Sequence, residues 1–143
     1  MTKSVLCAVD ISNGNIDAPV LKIAAKLADL DAAQLDVVTV LPDFGESWVS
    51  GFFRPDFHDK AQHEAHDKLV ELCVDAVGSE RNAKIRHVVA TGTAYQEILK
   101  TAESAGSDLI VIGAHKPDFK DYLLGPNAAR VVRHSNVSVY VVR

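Results

Sequence analysis

Five short runs rich in Val, Ile and Leu divide the chain: SVLCAVD from Ser4, LDVVTVL from Leu35, IRHVVA from Ile85, DLIVIGA from Asp108 and VSVYVV from Val137. Segments with helical spacing lie between them. Ile16, Val20, Ile23, Ala24 and Leu27 fall on one stripe, and Ala61, Ala65, Leu69, Leu72, Cys73 and Ala76 on a second. Thr93 and Gln96, after Gly92, read as a capping box, with Ile98, Leu99 and Ala102 as the buried side of a third helix. Gly125 followed by Pro126 opens a fourth, whose apolar surface is Ala128, Ala129, Val131 and Val132. Strands this continuously apolar need cover on both faces, and a strand–helix–strand order brings right-handed crossovers between parallel neighbours. The pattern predicts the α/β class: a single doubly wound parallel sheet of five strands with helices on both faces.

Length and charge narrow the function classes. A chain of 143 residues suits one domain, residues 1–143, and buries a core without disulfides or a structural metal. A formal charge of −4 with no basic run argues against a nucleic-acid partner, because Arg130, Arg133 and Arg143 are too few for a phosphate footprint. No basic leader precedes an apolar signal core, and no apolar run approaches the roughly 18 residues of a membrane span. A cytoplasmic protein with no membrane partner is the expectation. Cys7 lies in an apolar run and Cys73 on an apolar helix face, so both read as small buried residues rather than nucleophiles.

In a doubly wound sheet, ligands bind beyond the carboxyl ends of strands, where the direction of the connections reverses. The residues to watch are therefore Asp10 to Asn13, Val40 to Asp43, Ala90 to Thr93, and Gly113 onward. From Leu109 to Arg143 the chain reads as strand, glycine-containing loop, helix and terminal strand. Gly113 and Gly125 bracket a candidate anion site at a helix start, where the first-turn N–H groups have no partner inside the helix. The segment from Pro42 to Phe57 is long and aromatic, with Phe44, Trp48, Phe52, Phe53 and Phe57. It reads either as a lid or contact surface, or as a loop packed on its own aromatics. His58, His63 and His66 miss the four-residue histidine spacing of zinc proteases and read as a solvated helix face. No catalytic set emerges, since Ser12 has no evident histidine partner and the carboxylates do not pair in sequence.

The stretches AVDIS at residues 8–12 and GAHKPDFKDYLLGPN at residues 113–127, with YLLGPNAARVVRH leading into a Val-rich end, resemble the universal stress protein family. The likeness covers essentially the whole chain and is greatest to the short stand-alone members of the subgroup lettered F and G. It implies a sheet in the order 3-2-1-4-5, of the adenine-nucleotide alpha-hydrolase-like kind, and a homodimer through the terminal strand, residues 137–142. It also implies a division into ATP-binding and non-binding members. Binders commonly carry Gly-x2-Gly-x9-Gly followed by Ser or Thr. Here Lys116 stands at the second glycine, the spacer to Gly125 is one residue shorter, and Pro126 replaces Ser or Thr. The first two departures are those of the subgroup; the third is not.

By position, the resemblance sets Ala8, Val9 and Asp10 along base and ribose, with Asp10 also near the phosphates or their Mg²⁺. Val40 would meet the adenine, and Ile112 and Gly113 would line the ribose and phosphate side. His115, Lys116, Gly125, Pro126 and Asn127 would form the phosphate loop. Asp10 has a second reading as a turn or capping residue, and Lys116 as a solvated loop cation. Pro126 removes a hydroxyl and an N–H from the phosphate position. Each charge-assisted hydrogen bond lost is worth roughly 1.5–3 kcal/mol, and about 1.4 kcal/mol is tenfold in affinity. Three functions stand: a homodimeric stress regulator that binds ATP, or ADP or AMP, with Mg²⁺; a dimeric interaction module without nucleotide; and a slow ATP hydrolase, for which no general base is identifiable.

Overall fold

The computed structural model describes residues 2–12, 14–42, 55–114 and 125–143, and of residues 55–58 and 125–126 the backbone only. Its strands are β1 (Ser4–Ala8), β2 (Gln34–Leu41), β3 (Arg86–Thr91), β4 (Leu109–Gly113) and β5 (Ser138–Val142). The helices are α1 (Ala18–Leu30), α2 (Pro55–Val77), the single turn α3 (Ser79–Asn82), α4 (Ala94–Ala105) and α5 (Gly125–His134). The strands form one parallel sheet in the order β3-β2-β1-β4-β5. This is the order that the resemblance implies.

Two apolar layers cover the sheet. Val5, Cys7, Val37 and Val111 pack with Leu21 and Ala24 of α1 and Leu69, Leu72 and Cys73 of α2. Leu6, Ala8, Val38, Ile110 and Ile112 point the other way, toward Ile98 and Ala102 of α4 and Ala128 and Val131 of α5. The split follows from the two-residue period of a strand. β1 is buried along its whole length, and each fully buried Val or Leu side chain contributes roughly 1.5–3 kcal/mol. A carboxylate also sits inside this sheet. Asp36 is 1% exposed, and register sets it opposite Arg86, whose Nε and Nη2 donate to its two oxygens at 2.7 Å each.

Several local expectations need correction. Ile16 precedes α1 and is 47% exposed, so the buried stripe starts at Val20 and takes in Leu21, Ala25 and Ala28. Thr93 occupies the N-cap of α4 without a side-chain cap bond, and Gln96 Nε2 donates to the Tyr95 hydroxyl instead of reaching back. The capping box is therefore not formed. Pro55 to Phe57 belong to α2, which shortens the connection after β2; its aromatic residues Phe44, Trp48, Phe52 and Phe53 lie outside the described residues. Among the described residues, no helix is long and apolar enough to cross a membrane.

Candidate functional site

β1 is the strand at which the sheet order reverses: β2 and β3 lie to one side, β4 and β5 to the other. Ala8 is paired with Ile112 at the carboxyl end, so Val9–Asp10 and Gly113–Ala114 leave side by side. Their last backbone bonds point apart, Val9 N–H donating to Val38 O at 2.9 Å and Ala114 N–H to Val142 O at 2.8 Å. A mouth between β1 and β4 follows from that divergence. Ala8, Val9 and Ile112 are buried apolar residues at these strand ends, while Asp10 and Gly113 are half-buried.

Asp10 is held from two directions. Its Oδ1 accepts the Ser12 N–H at 2.8 Å and the Ser12 hydroxyl at 2.6 Å, an Asx-type turn. Its own N–H donates to Asp17 Oδ2 at 2.6 Å. The turn reading of Asp10 is thus realised. Asp17 was not among the sequence candidates. It stands immediately before Ala18 and Pro19, a signal for a helix N-cap, but nothing local announces that its carboxylate turns back to β1.

Val40 is half-buried on β2, opposite Ala90, and packs toward the α4/α5 layer. Ala8 and Ile112 belong to the same layer. Gly125 and Pro126 are the first residues of α5, and Asn127 is exposed in the same turn. His115 and Lys116 lie outside the described residues, as does Asn13. The structure therefore brings together Ala8, Val9, Asp10, Ile112 and Gly113. At the strand ends Asp10 offers a carboxylate that can meet hydroxyls or a hard cation, and the start of α5 offers first-turn N–H groups that can meet an anion.

Other groups are set apart from the mouth. Burial pushes the Cys73 thiol up to about 12, and burial followed by the Asp17 and Cys73 charges pushes Cys7 well above its ordinary value. Neither is poised as a thiolate. His66 and His87 meet edge to face at 5.9 Å, and His87 Nε2 lies 2.7 Å from Asn82 Oδ1. His63 and His66 are exposed, and among the described residues no group of three His, Cys, Asp or Glu side chains forms a metal site. An open cleft of about 740 Å³ lies at the opposite end of the sheet, between Lys3, Asp29, Gln34, Arg81 and Lys84. A groove of about 350 Å³ runs beside β3, lined by Asp59, Gln62, His63, His66 and Val89. Neither includes a residue of the strand-order reversal.

Comparison with known proteins agrees with this architecture. The sequence model of the Universal stress protein family matches residues 1–143. Universal stress protein G of Escherichia coli O157:H7 is 30% identical over 145 residues, covering all of both chains. Among solved structures, MJ0577, a universal stress protein of Methanocaldococcus jannaschii, superposes with a TM-score of 0.79 at 26% identity, covering 99% of this chain and 96% of that one. The universal stress protein from Archaeoglobus fulgidus in complex with dAMP gives a TM-score of 0.67 at 20% identity, covering 99% and 98%. From the full-length match, the five-stranded order and the likeness to the G-type relative, the chain belongs to the universal stress protein family.

Proposed function

We propose that this protein binds an adenine nucleotide at the strand-order reversal and works as a homodimeric regulator of the stress response. The ligand is ATP, ADP or AMP, with Mg²⁺ on the polyphosphate, and the whole chain acts as one cytoplasmic domain without nucleic-acid or membrane partners. One observation carries the reading: Asp10 and Gly113 leave adjacent strands at the point where the sheet order turns. The dAMP complex of the Archaeoglobus fulgidus relative, which has the same fold, supports it.

In this reading Ala8, Val9 and Asp10 run along the base and ribose, and Val40 borders the adenine. Ile112 and Gly113 line the ribose side. His115, Lys116, Gly125, Pro126 and Asn127 receive the phosphates, with Asp10 facing Mg²⁺. Asp10 would hold Mg²⁺, which when bound would screen its charge from the phosphates. Gly125 and Asn127 have main-chain N–H groups in the first turn of α5, while Pro126 has none.

Calorimetry with ATP and with AMP, each with and without Mg²⁺, tests this on the natural chain, Asp10→Asn and Pro126→Ser. The natural chain is expected to bind. Pro126→Ser, which restores one N–H and one hydroxyl, is expected to bind roughly tenfold tighter or better. Asp10→Asn, which keeps the turn with Ser12, is expected to lose the gain that Mg²⁺ brings to ATP. Pro126 also favours a second reading, a dimeric interaction module that has lost its nucleotide. Uptake by the Ser variant alone would decide for that module.

A further inference from the structure

We propose that Asp17 is a positioning residue for the nucleotide site, setting the Asp10 carboxylate by holding the Asp10 amide. This rests on the reading that Asp10 meets the nucleotide or its cation. Asp17 itself touches neither.

The first observation is a local opportunity not used. Asp17 occupies the N-cap of α1, where an aspartate ordinarily accepts an N–H from the first turn, yet its side chain makes no cap bond. Its Oδ2 accepts the Asp10 N–H at 2.6 Å, seven residues back. That is short for a bond to a charged acceptor, and it closes the loop from β1 to α1. The second observation is burial. Asp17 is 3% exposed, close enough to the core that its charge acts on the Cys7 thiol. A buried carboxylate needs strong partners; the Asp10 amide is one, and the positive end of α1 lies beside it.

The third is what the tie does to Asp10. Asp17 fixes the backbone at residue 10, and Ser12 fixes Oδ1 through two hydrogen bonds. With both ends held, the carboxylate has little freedom left to lose when a ligand arrives. Such preorganisation strengthens binding without adding a contact. Without the Asp17 tie, the turn at Ser12 remains but the Asp10 amide loses its carboxylate acceptor.

Asp17→Ser and Asp17→Asn separate this role from capping. Serine retains the ability to cap α1 but is too short to span the loop, whereas asparagine keeps an oxygen acceptor at the same reach. Thermal unfolding, AMP calorimetry and amide hydrogen exchange at Asp10 in the ligand-free protein are measured on all three chains. The Ser variant is expected to unfold near the natural temperature, to exchange its Asp10 amide at least tenfold faster and to bind AMP at least tenfold more weakly. The Asn variant is expected within threefold of the natural chain on both. A Ser variant that binds AMP as the natural chain does overturns the role of Asp17 alone. Equal losses in Ser and Asn, with the Asp10 amide unchanged, also overturn it, because the charge would then matter and not the bond. A natural chain that takes up no AMP, with its Asp10 amide protected, overturns the nucleotide reading and this role with it.

Discussion

The two edges of the sheet are treated differently. Along β3, Gln62 of α2 donates its Nε2 to the Val89 carbonyl at 3.2 Å, His66 stands against the His87 ring, and Arg86 lies across to the buried Asp36. Along β5, no side chain among the described residues bonds to the strand, Tyr140 is 45% exposed, and Val137, Val139 and Val141 pack inward on the α4/α5 layer. An uncovered edge is a template for another strand, while a charged or capped edge resists pairing. Among the described residues, a side chain meets the outer Val89 carbonyl of β3, and none meets a backbone group of β5. The edge-to-edge homodimer proposed above uses the β5 edge.

The strongest way to break this contrast is to remove β5. A chain ending at Ser135 is expected to elute from gel filtration as a monomer while the natural chain elutes as a dimer. A dimer that survives the cut would move the interface elsewhere. A smaller effect is expected from Gln62→Leu, which leaves the Val89 carbonyl without its donor. Unfolding free energy from urea titration should fall by about 0.5–1.5 kcal/mol, and light scattering should show growth beyond the dimer as concentration rises. An assembly of constant size would mean that Gln62 is not what closes β3.

The smallest effect is a pH dependence confined to the β3 edge. Burial, and then the neighbouring His66, hold His87 below its ordinary value of 6.5. The folded chain thus binds fewer protons here than the unfolded chain does. The stabilisation is present in full above pH 6.5 and is lost as the pH falls through the lowered value. Urea midpoints are expected to drop more between pH 7 and about pH 5 in the natural chain than in His87→Gln, which keeps a side-chain hydrogen-bond donor but cannot titrate. Parallel curves would show that the histidine contact does not report on this edge.

How far the sequence revealed these features depends on the distance over which each is decided. Apolar runs and helix stripes are local patterns, so the five strands and the buried faces of α2 and α4 were legible, as were Asp10 and Gly113 at strand ends, whereas α1 turns Leu21, Ala25 and Ala28 inward and α5 buries Ala128 and Val131 but leaves Ala129 and Val132 exposed. Ties across the fold were not. Asp36 lies inside an apolar run, and only the β2–β3 register shows that Arg86 is there to meet it. Gln62 is one polar residue among many on a helix until α2 is laid along β3. Asp17 carries the signature of a helix cap, and its distant partner becomes visible only when the loop closes. Thr93 and Gln96 err in the other direction. Their spacing meets the local rule, but Gln96 finds the Tyr95 hydroxyl instead.

β1 is a wall shared by two rooms. At its carboxyl end Ala8 belongs to the layer of α4 and α5, and Val9, one residue on, to the layer of α1 and α2. The two layers therefore meet at adjacent residues of one strand end, with no loop between them. The proposed nucleotide seat thus borders one residue of each layer.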